Sequence, residues 1–349
     1  MRVCMMNDIF DRSGGVAIAI RRISQAPTDV DYYFAACKSG RWVEDISWIP
    51  NGRFERFDLK TANPIRVVKE LYRFRRWFKV QRCDLVHCHH RRLAVLLQLV
   101  RIPVLYTGHL AFPQAAWFRW LHPRRMTAVS RSVATNIRET TGHDVLVSIN
   151  PPVQFPQILP LVDISKVQRR AVCVARLEPV KGHTHLLAAW KLLRDRGFKC
   201  ELDLVGEGSL RPILEAQIQR DDLEQLIRFR GFTTDVSRSI NNALFAILVS
   251  EVEGQPAVVL EAASMGRASL LSAIPASIDL LPPGRTLRNG IAFGDVAALA
   301  DALEEWFAHP EDVVQEGKRF FDYLKASSDP AAIASQYKEL YRQILAESA

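Results

Sequence analysis

Two glutamates eight positions apart in an apolar stretch are the first residues of this sequence whose types could do chemistry. In SEVEGQPAVVLEAASMG, Glu253 precedes Pro256, which suits the first turn of a helix, and Glu261 falls about two turns inside that helix. Because burying an unpaired carboxylate is costly, each group needs water or a polar ligand beside it. A carboxylate can accept hydrogen bonds from both hydroxyls of a vicinal diol, as in a ribose or a hexose. A capping glutamate followed by a solvated one is the alternative.

Two cations lie in a second segment, VARLEPVKGH, which follows an apolar run and precedes a helical pattern. Arg176 supplies a planar guanidinium and Lys181 an ammonium, and the two together could neutralise a diphosphate. A pair of ordinary surface cations is the alternative, but it gives no reason for Gly182 in the same loop.

Glycines occupy two further positions where a strand pattern gives way to a helix. DRSGGVA contains Gly14 and Gly15, and LVGEGSL contains Gly206 and Gly208. Glycine lets the backbone approach an anion closely, and the start of the following helix favours negative charge. For Gly14 and Gly15 a simple tight turn is the alternative, and the pair alone is a weak signal.

Histidines follow two apolar strands of the first half. His87, His89 and His90 resemble a metal cluster, but we expect neighbours on a strand to point to opposite faces, so no metal site is predicted. His109, directly after Gly108, is a better candidate to donate a hydrogen bond to a phosphate or sugar oxygen. A buried, hydrogen-bonded histidine is the alternative.

The elements that must position these residues alternate along the whole chain, since short apolar runs are separated by helical patterns. This alternation is typical of parallel α/β architecture. We therefore predict two doubly wound, Rossmann-like domains facing across a cleft, with the ligand at the carboxyl ends of the strands. The predicted segments are a first domain at 1–150, a Pro-rich linker at 151–167, a second domain at 168–325 and a helix at 326–349 that packs back across the structure. The run VLVSI is expected to be the last strand of the first domain.

The composition suits this interpretation. The chain has 349 residues, 48% hydrophobic and 24% charged, the balance of a soluble globular protein of two domains. We find neither a leader pattern nor the roughly 18 uninterrupted apolar residues of a membrane span, and therefore expect a cytoplasmic protein. Six scattered cysteines, none in a CxxC pair, are interpreted as reduced core residues.

The charge is concentrated in the first half. Residues 1–150 hold 24 basic and 12 acidic side chains, net +12, and residues 151–349 hold 22 and 26, net −4. Within the first half, residues 63–83 interleave seven basic side chains and one acidic one with apolar and aromatic residues. Such a helix is a candidate to lie on an anionic membrane surface. An ordinary packed helix with solvated arginines is the alternative, and nucleic acid is not expected because no binding motif accompanies the charge.

With these motifs assembled, the chain resembles the retaining glycosyltransferases of family 4, which have the GT-B fold. The resemblance extends over nearly the whole chain and is strongest at 171–295. VARLEPVKGHTHLLAAWKLL resembles the family's Arg and Lys segment, LDLVGEGSL its following strand and glycine loop, and SEVEGQPAVVLEAASMG its pair of glutamates separated by seven residues. The chain departs from the family where Pro-Val is usual after Gly266, since Arg267 and Ala268 stand there.

The resemblance implies roles for single residues. Arg176 and Lys181 bind the donor diphosphate, Glu253 touches the transferred sugar and Glu261 the nucleotide ribose, His109 lies near the reacting sugar, and FRGF presents backbone to the base. The residues expected to be catalytic are Glu253, His109, Arg176 and Lys181. The residues expected to bind the donor are Gly14, Gly15, Ser130, Arg176, Lys181, Gly206, Gly208, Arg230, Gly231, Phe232, Glu253, Gly254, Gln255, Pro256 and Glu261.

The implied reaction moves a hexose from a UDP- or GDP-type sugar, with retention, to a lipid-linked or cell-envelope acceptor in polysaccharide or lipopolysaccharide biosynthesis. No cofactor is expected, and the two cations replace a metal. We do not assign Glu253 as a nucleophile, since same-face attack assisted by the leaving phosphate is the usual proposal for this family. The alternatives are a non-catalytic nucleotide-sugar-binding or partner subunit, and a GT-B epimerase or phosphorylase.

Overall fold

The computed structural model describes residues 1–10, 15–37, 45–111, 122–147, 149–157, 159, 162–167, 169–281 and 290–348. The chain divides into two compact units, each described here by itself. The first comprises Met1–Pro152 and Ser328–Ala349, and the second comprises Val153–Ser327. Most of the Pro-rich segment at 151–167 therefore belongs to the second unit, where Val153 is fully buried. The chain returns to the first unit at Ser328.

The first unit contains one parallel sheet. Its strands are β1 (Arg2–Asn7), β2 (Asp31–Cys37), β3 (Phe54–Phe57), β4 (Leu85–Cys88), β5 (Val104–Gly108) and β6 (Met126–Ala128). They pair in the order β3-β2-β1-β4-β5-β6, and every pair is parallel. Since parallel neighbours need a crossover between them, helices cover both faces of the sheet.

The helices are numbered in chain order through both units. Those of the first unit are α1 (Gly15–Gln25), α2 (Pro64–Val80), α3 (Arg91–Gln98), α4 (Arg131–Thr141) and, after the second unit, α13 (Pro330–Ala346). Those of the second unit are α5 (Ile164–Val167), α6 (His183–Asp195), α7 (Arg211–Arg220), α8 (Val236–Asn241), α9 (Ala257–Ser264), α10 (Pro275–Ile278), α11 (Val296–Ala308) and α12 (Pro310–Ser327).

The core of the first unit lies on both faces of its sheet, as the alternation of side chains along β1 requires. Cys4 and Met6 face α2, α3 and α4, whereas Val3 and Met5 face α1 and α13. Five side chains of α13 are buried on the second face, at the spacing of one helical stripe. They are Ile333, Tyr337, Leu340, Tyr341 and Ile344.

The second unit repeats the pattern with the strands β7 (Arg170–Val174), β8 (Glu201–Val205), β9 (Ile227–Gly231), β10 (Phe245–Leu248) and β11 (Ala268–Leu271). The order is β11-β10-β7-β8-β9, again parallel throughout. Trp190 of α6 and Trp306 of α11 pack into the core on one face, and Leu260 of α9 and Leu324 of α12 pack on the other. The predicted fold class, two doubly wound α/β domains, is confirmed.

One predicted strand is absent from the described residues, and one observed strand was not predicted. The described part of the run VLVSI forms no strand; Leu146 N and Ile149 N instead donate to Met126 O (2.8 Å) and Ala128 O (2.9 Å) beside β6. Strand β3 was not expected, because it is a short edge strand and only two of its four residues, FERF, are apolar. Edge strands carry a weak sequence signal, since they bury only part of their surface.

All six cysteines are free thiols in buried positions. Burial raises the pKa of the Cys88, Cys173 and Cys200 thiols to about 12, so these groups stay protonated and inert. Among the helices that the structure describes, none is both long and apolar enough to cross a bilayer.

Candidate functional site

The loop between β7 and α6 carries the two predicted cations of the second unit. Pro179–Lys181 form one 3₁₀ turn, and Gly182 follows with a φ of 70°. A Cβ at Gly182 would overlap the carbonyl oxygen of Val249, so only glycine permits this approach. Glu251 N also donates to Val180 O (2.9 Å). The chain leaving β10 is thereby fixed against the loop that carries Lys181.

This approach brings Lys181 and Glu253 into direct contact. Lys181 Nζ lies 2.5 Å from Glu253 Oε1, and the two side chains are only 17% and 10% exposed. The Ser250 hydroxyl donates to the same oxygen (2.7 Å), and the Ser272 hydroxyl donates to Ser250 O (2.6 Å). A nearly buried ion pair is tolerated only where further hydrogen bonds support it, and Ser250 provides one.

The glycine loop after β8 lies directly on the β7 loop. A Cβ at Gly206 would overlap Ala175 O, and one at Gly208 would overlap Leu177 O. Leu177 N donates to Glu207 O (3.0 Å), which ties the two loops together. The predicted positions Gly206 and Gly208 are therefore needed to hold the loop of Arg176, whose own side chain is exposed.

The segment FRGF ends β9 beside this loop. Arg230 Nε donates to the buried carboxylate of Asp203 (2.9 Å), so its side chain is held by the sheet. Gly231 has a φ of 69°, and its carbonyl accepts from Gly206 N (2.9 Å). The ring of Phe232 is 52% exposed. The part of the segment that could meet a ligand is thus its backbone and Phe232, rather than the Arg230 guanidinium.

Helix α9 places Glu261 away from the apolar core. Pro256 precedes the helix in an extended conformation, with no side-chain cap. Gly254 and Pro256 are buried, whereas Gln255 and Glu261 are half-buried. The apolar neighbours of Glu261 face inward; Val259, Leu260, Ala262 and Ala263 are the buried ones. Glu261 therefore lies at the boundary of the core, where a carboxylate can meet a polar group.

The remaining predicted residues belong to the first unit. Gly15 begins α1, and Gly14 lies outside the described residues. Ser130 is buried and caps α4, its hydroxyl accepting from Val133 N (3.3 Å). The structure thus gives Ser130 a local structural role, and its contact with a donor stays a prediction. His109 is half-buried directly after β5.

His87, His89 and His90 were expected not to converge as metal ligands, because neighbours on a strand point to opposite faces, yet the rings of His87 and His89 lie close together. His87 and His89 are two positions apart, so they share a face of the strand. Their ring centroids are 4.2 Å apart, and His89 Nδ1 lies 2.9 Å from His109 Nε2. Burial lowers the pKa of His87 to about 3 and that of His109 to about 4, and burial together with His87 and His109 holds the pKa of His89 well below its usual value. In the described part of the chain, no three His, Cys, Asp or Glu side chains are arranged to hold a metal ion.

Sequence reasoning missed the structural roles of Ser250, Asp203 and Arg267. Ser250 and Asp203 support predicted site residues from inside the fold. Arg267, where the family has proline, is buried, and its guanidinium donates to three backbone carbonyls, those of Asn241, Ala243 and Met265. These bonds join the ends of α8 and α9, so this departure from the family has a structural explanation.

Comparison with known proteins identifies the family. A sequence profile described as Glycosyltransferase Family 4 matches residues 14–153, and one described as Glycosyl transferases group 1 matches residues 168–309. The chain belongs to glycosyltransferase family 4. The second matched stretch lies entirely in the second unit, and the first lies in the first unit except for its last residue, Val153.

Similar sequences cover only part of the chain. AmsK, an amylovoran biosynthesis glycosyltransferase of Erwinia amylovora, is 30% identical over 156 residues, which are 42% of this chain and 37% of AmsK. An uncharacterized glycosyltransferase of Haemophilus influenzae is 30% identical over 110 residues, 31% of either chain. The matched stretches thus span less than half of these relatives.

Similar solved structures cover nearly the whole of this chain. HepE of Anabaena, solved in complex with UDP, has a TM-score of 0.77 and 18% identity over 98% of this chain and 100% of HepE. The lipopolysaccharide outer core galactosyltransferase WaaB has a TM-score of 0.71 and 18% identity over 97% of this chain and 100% of WaaB. At such identities the likeness shows the fold, which is that of GT-B glycosyltransferases.

Proposed function

We propose that this protein transfers a hexose from a nucleoside-diphosphate sugar, with retention of anomeric configuration, to a lipid-linked or cell-envelope glycan. The observation that carries the proposal is the contact between Lys181 and Glu253, held by Ser250, at the carboxyl ends of β7 and β10. The ends of parallel strands are where doubly wound sheets bind their ligands. A cation and a carboxylate placed there suit a diphosphate and a sugar hydroxyl.

Charge stabilisation is the main catalytic device in this proposal. The nucleoside diphosphate leaves with growing negative charge, and Arg176 and Lys181 would stabilise that charge without a metal ion. The side chain of Arg176 is exposed and could change rotamer to contact a ligand, whereas Lys181 is already held in place by Glu253. The family membership and the UDP bound by HepE support a UDP- or GDP-type donor, with UDP tested first.

Glu253 is proposed to position the sugar rather than to attack it. Its Oε1 already accepts from Lys181 and from Ser250. An oxygen that accepts two hydrogen bonds, one from a cation, has reduced nucleophilicity. Retention then follows from attack on the face that the diphosphate leaves, with the departing phosphate accepting the proton of the acceptor hydroxyl.

The acceptor side of the proposal rests on α2. With 100° of rotation per residue, one third of the helix circumference faces outward and contains Ile65, Val68, Tyr72 and Val80 together with three basic side chains. The side chains of Ile65, Tyr72 and Val80 are each more than 60% exposed. The basic side chains are Lys69, Arg76 and Lys79, all exposed.

The inner face of α2 is an ordinary packed one, since Leu71, Phe74 and Phe78 are buried. The outer face, in contrast, combines apolar anchors with cations that make no ion pair to any described residue. This combination favours an anionic membrane surface. We therefore propose that the enzyme works in the cytoplasm, at the inner face of the membrane that carries its lipid-linked acceptor.

A thermal-shift screen without metal tests the donor site. UDP, GDP, ADP and their common sugar conjugates are added to the wild type, to Arg176→Ala, and to Arg169→Ala as control. Arg169 is an exposed arginine at the opposite, amino end of β7, so its loss removes the same charge away from the site.

A ligand at 100 times its dissociation constant adds about 2.7 kcal/mol to the unfolding free energy. We expect one nucleoside diphosphate to raise the melting temperature of the wild type and of Arg169→Ala, but much less that of Arg176→Ala. If no nucleotide shifted the wild type, the transferase proposal would fail in favour of a non-catalytic subunit.

A further inference from the structure

The histidines that follow β4 and β5 are held next to each other by the sheet. β4 and β5 are parallel neighbours, and His89 and His109 stand directly after them. His89 N donates to Met6 O (2.8 Å), which continues the ladder to β1 beyond the strand end. Gly108 lets α4 approach closely, since a Cβ there would lie 2.7 Å from Ile137 Cδ1. The backbone positions of His89 and His109 are therefore fixed, and they bring His89 Nδ1 to 2.9 Å from His109 Nε2.

One proton lies between His89 Nδ1 and His109 Nε2, and the surroundings decide which ring carries it. The other nitrogen of His89, Nε2, is buried and bonds to no group in the described part of the chain. If His109 donated, His89 would carry its own proton on Nε2 and would bury an N–H without an acceptor. If His89 donates, only a lone pair is left unsatisfied, which is the less costly arrangement.

We propose that His89 is a positioning residue that donates from Nδ1 to Nε2 of His109 and thereby leaves His109 with its proton on Nδ1. Neutral imidazole carries one N–H, so a ring that accepts at Nε2 must be a donor at Nδ1. Both rings are neutral at pH 7, since burial lowers their pKa values. The inference rests on the proposed function, in which His109 contacts the reacting sugar.

A second layer holds His89. Its ring lies over that of His87, which is bonded at both nitrogens, Nδ1 to the Tyr341 hydroxyl (2.7 Å) and Nε2 to Thr107 Oγ1 (2.6 Å). Tyr341 belongs to α13, and Thr107 to β5. The row from Tyr341 through His87 and His89 to His109 thus connects the last helix of the first unit to the proposed sugar contact. It makes His109 a hydrogen-bond donor to an oxygen of the sugar or phosphate and not a general base at Nε2.

The direct test is the tautomer of His109 in the full chain. Protein with ¹⁵N-labelled imidazoles is studied at pH 7 by long-range ¹H–¹⁵N correlation, and His109 is assigned as the signal that is absent in His109→Asn. We expect an Nδ1–H ring, although the Nε2–H tautomer dominates in free histidine. An Nε2–H ring, or an imidazolium, at His109 would overturn the proposal. This spectrum requires no His89 variant to fold.

Two substitutions add a kinetic readout. His89→Phe keeps a ring over His87 but removes the N–H, whereas His89→Asn keeps an N–H close to the position of Nδ1. We expect kcat to fall about tenfold in His89→Phe with the donor KM within twofold, and to recover in His89→Asn, as the loss of one positioning hydrogen bond requires. Equal losses in both variants would contradict the role of the N–H.

Failure of this inference is distinguishable from failure of the proposed function. The tautomer is read without substrate, whereas the thermal shift with nucleoside diphosphates reports on residues of the second unit. A wild type that binds UDP and shows an Nε2–H His109 would overturn only the positioning role.

Discussion

Lys181 Nζ lies 2.5 Å from Glu253 Oε1 at the carboxyl ends of the strands of the second unit, although the two residues are 72 positions apart in the chain. Three glycines make the surrounding loops compact enough for this contact: Gly182, Gly206 and Gly208. The pair is mostly shielded from water, which makes its interaction stronger than that of surface ion pairs.

A double-mutant cycle with Lys181→Met and Glu253→Gln measures this interaction. We expect a coupling of about 2 kcal/mol in the unfolding free energy, because the shielded charges depend on each other. The matched control is Lys191 with Asp195, which are 2.7 Å apart with side chains about 40% exposed, and for which we expect a much smaller coupling because water screens the charges. Equal coupling in both cycles, measured by urea unfolding, would show that shielding has no effect.

Ser250→Ala removes one of the two hydrogen bonds to Glu253 Oε1. We expect kcat for sugar transfer to fall about tenfold with the UDP affinity unchanged, since the carboxylate loses orientation while the cations remain. Ser264→Ala is the control, because that hydroxyl is also in a buried residue but bonds to Glu261 O (2.8 Å). The prediction fails if the two variants lose the same activity.

Comparing Gly182→Ala with Gly142→Ala separates the cost of a positive φ from the cost of a steric overlap with the added Cβ. Their φ angles are 70° and 72°, but an added Cβ meets Val249 O at Gly182 and nothing within 4 Å at Gly142. We expect the unfolding free energy to fall by about 1 kcal/mol in Gly142→Ala and by about 3 kcal/mol in Gly182→Ala. Only Gly182→Ala should also weaken UDP binding, which calorimetry would detect.

Replacing Lys69, Arg76 and Lys79 by glutamine should release the protein from anionic vesicles. Each cation near such a surface contributes about 1 kcal/mol, so the triple variant should bind on the order of 100-fold more weakly at low salt. Vesicle sedimentation measures this, with zwitterionic vesicles and the triple variant Lys166→Gln, Lys191→Gln, Lys318→Gln as controls. A wild type that ignores anionic vesicles at low salt would refute membrane association.

The histidine row makes stability depend on pH. His87 has a pKa of about 3 in the folded state, below its unfolded value of about 6.5, so the unfolded chain binds more protons in between and stability falls as pH falls. Between pH 6.5 and pH 4.5 we expect His87 to contribute a loss of about 2 kcal/mol in unfolding free energy. In His87→Gln the unfolding free energy, measured by urea unfolding at each pH, should fall by about 2 kcal/mol less than in the wild type between pH 6.5 and pH 4.5.

The sequence predicted where the site residues lie but not how they contact each other. Alternating strands and helices put Arg176, Lys181 and Glu253 after strands, and parallel strands end at one edge of a sheet. The bond between Lys181 and Glu253 depends on side-chain conformation and on loop packing, for which spacing carries no information. Ser250, at the end of the β10 segment, could have been recognised as a polar neighbour of Glu253, but not as its donor.

The histidines show a different limit. Alternation along a strand separates residues one position apart and brings together those two apart, so the pair His87 and His89 could have been predicted from the sequence. The partner Tyr341 could not, since it comes from a helix 254 positions away. Arg267 is similar, because two of the three backbone carbonyls that make its buried guanidinium acceptable, those of Asn241 and Ala243, lie 26 and 24 positions away.

The return of α13 to the first unit also affects the order in which the protein can fold during its synthesis. The sheet face formed by Val3 and Met5 is covered in part by Tyr337 and Tyr341, which the ribosome adds only after all of Val153–Ser327. The second unit can therefore close its core while the nascent first unit still exposes an apolar face. A chaperone that shields this face would act on an intermediate that lasts as long as translation of the second unit.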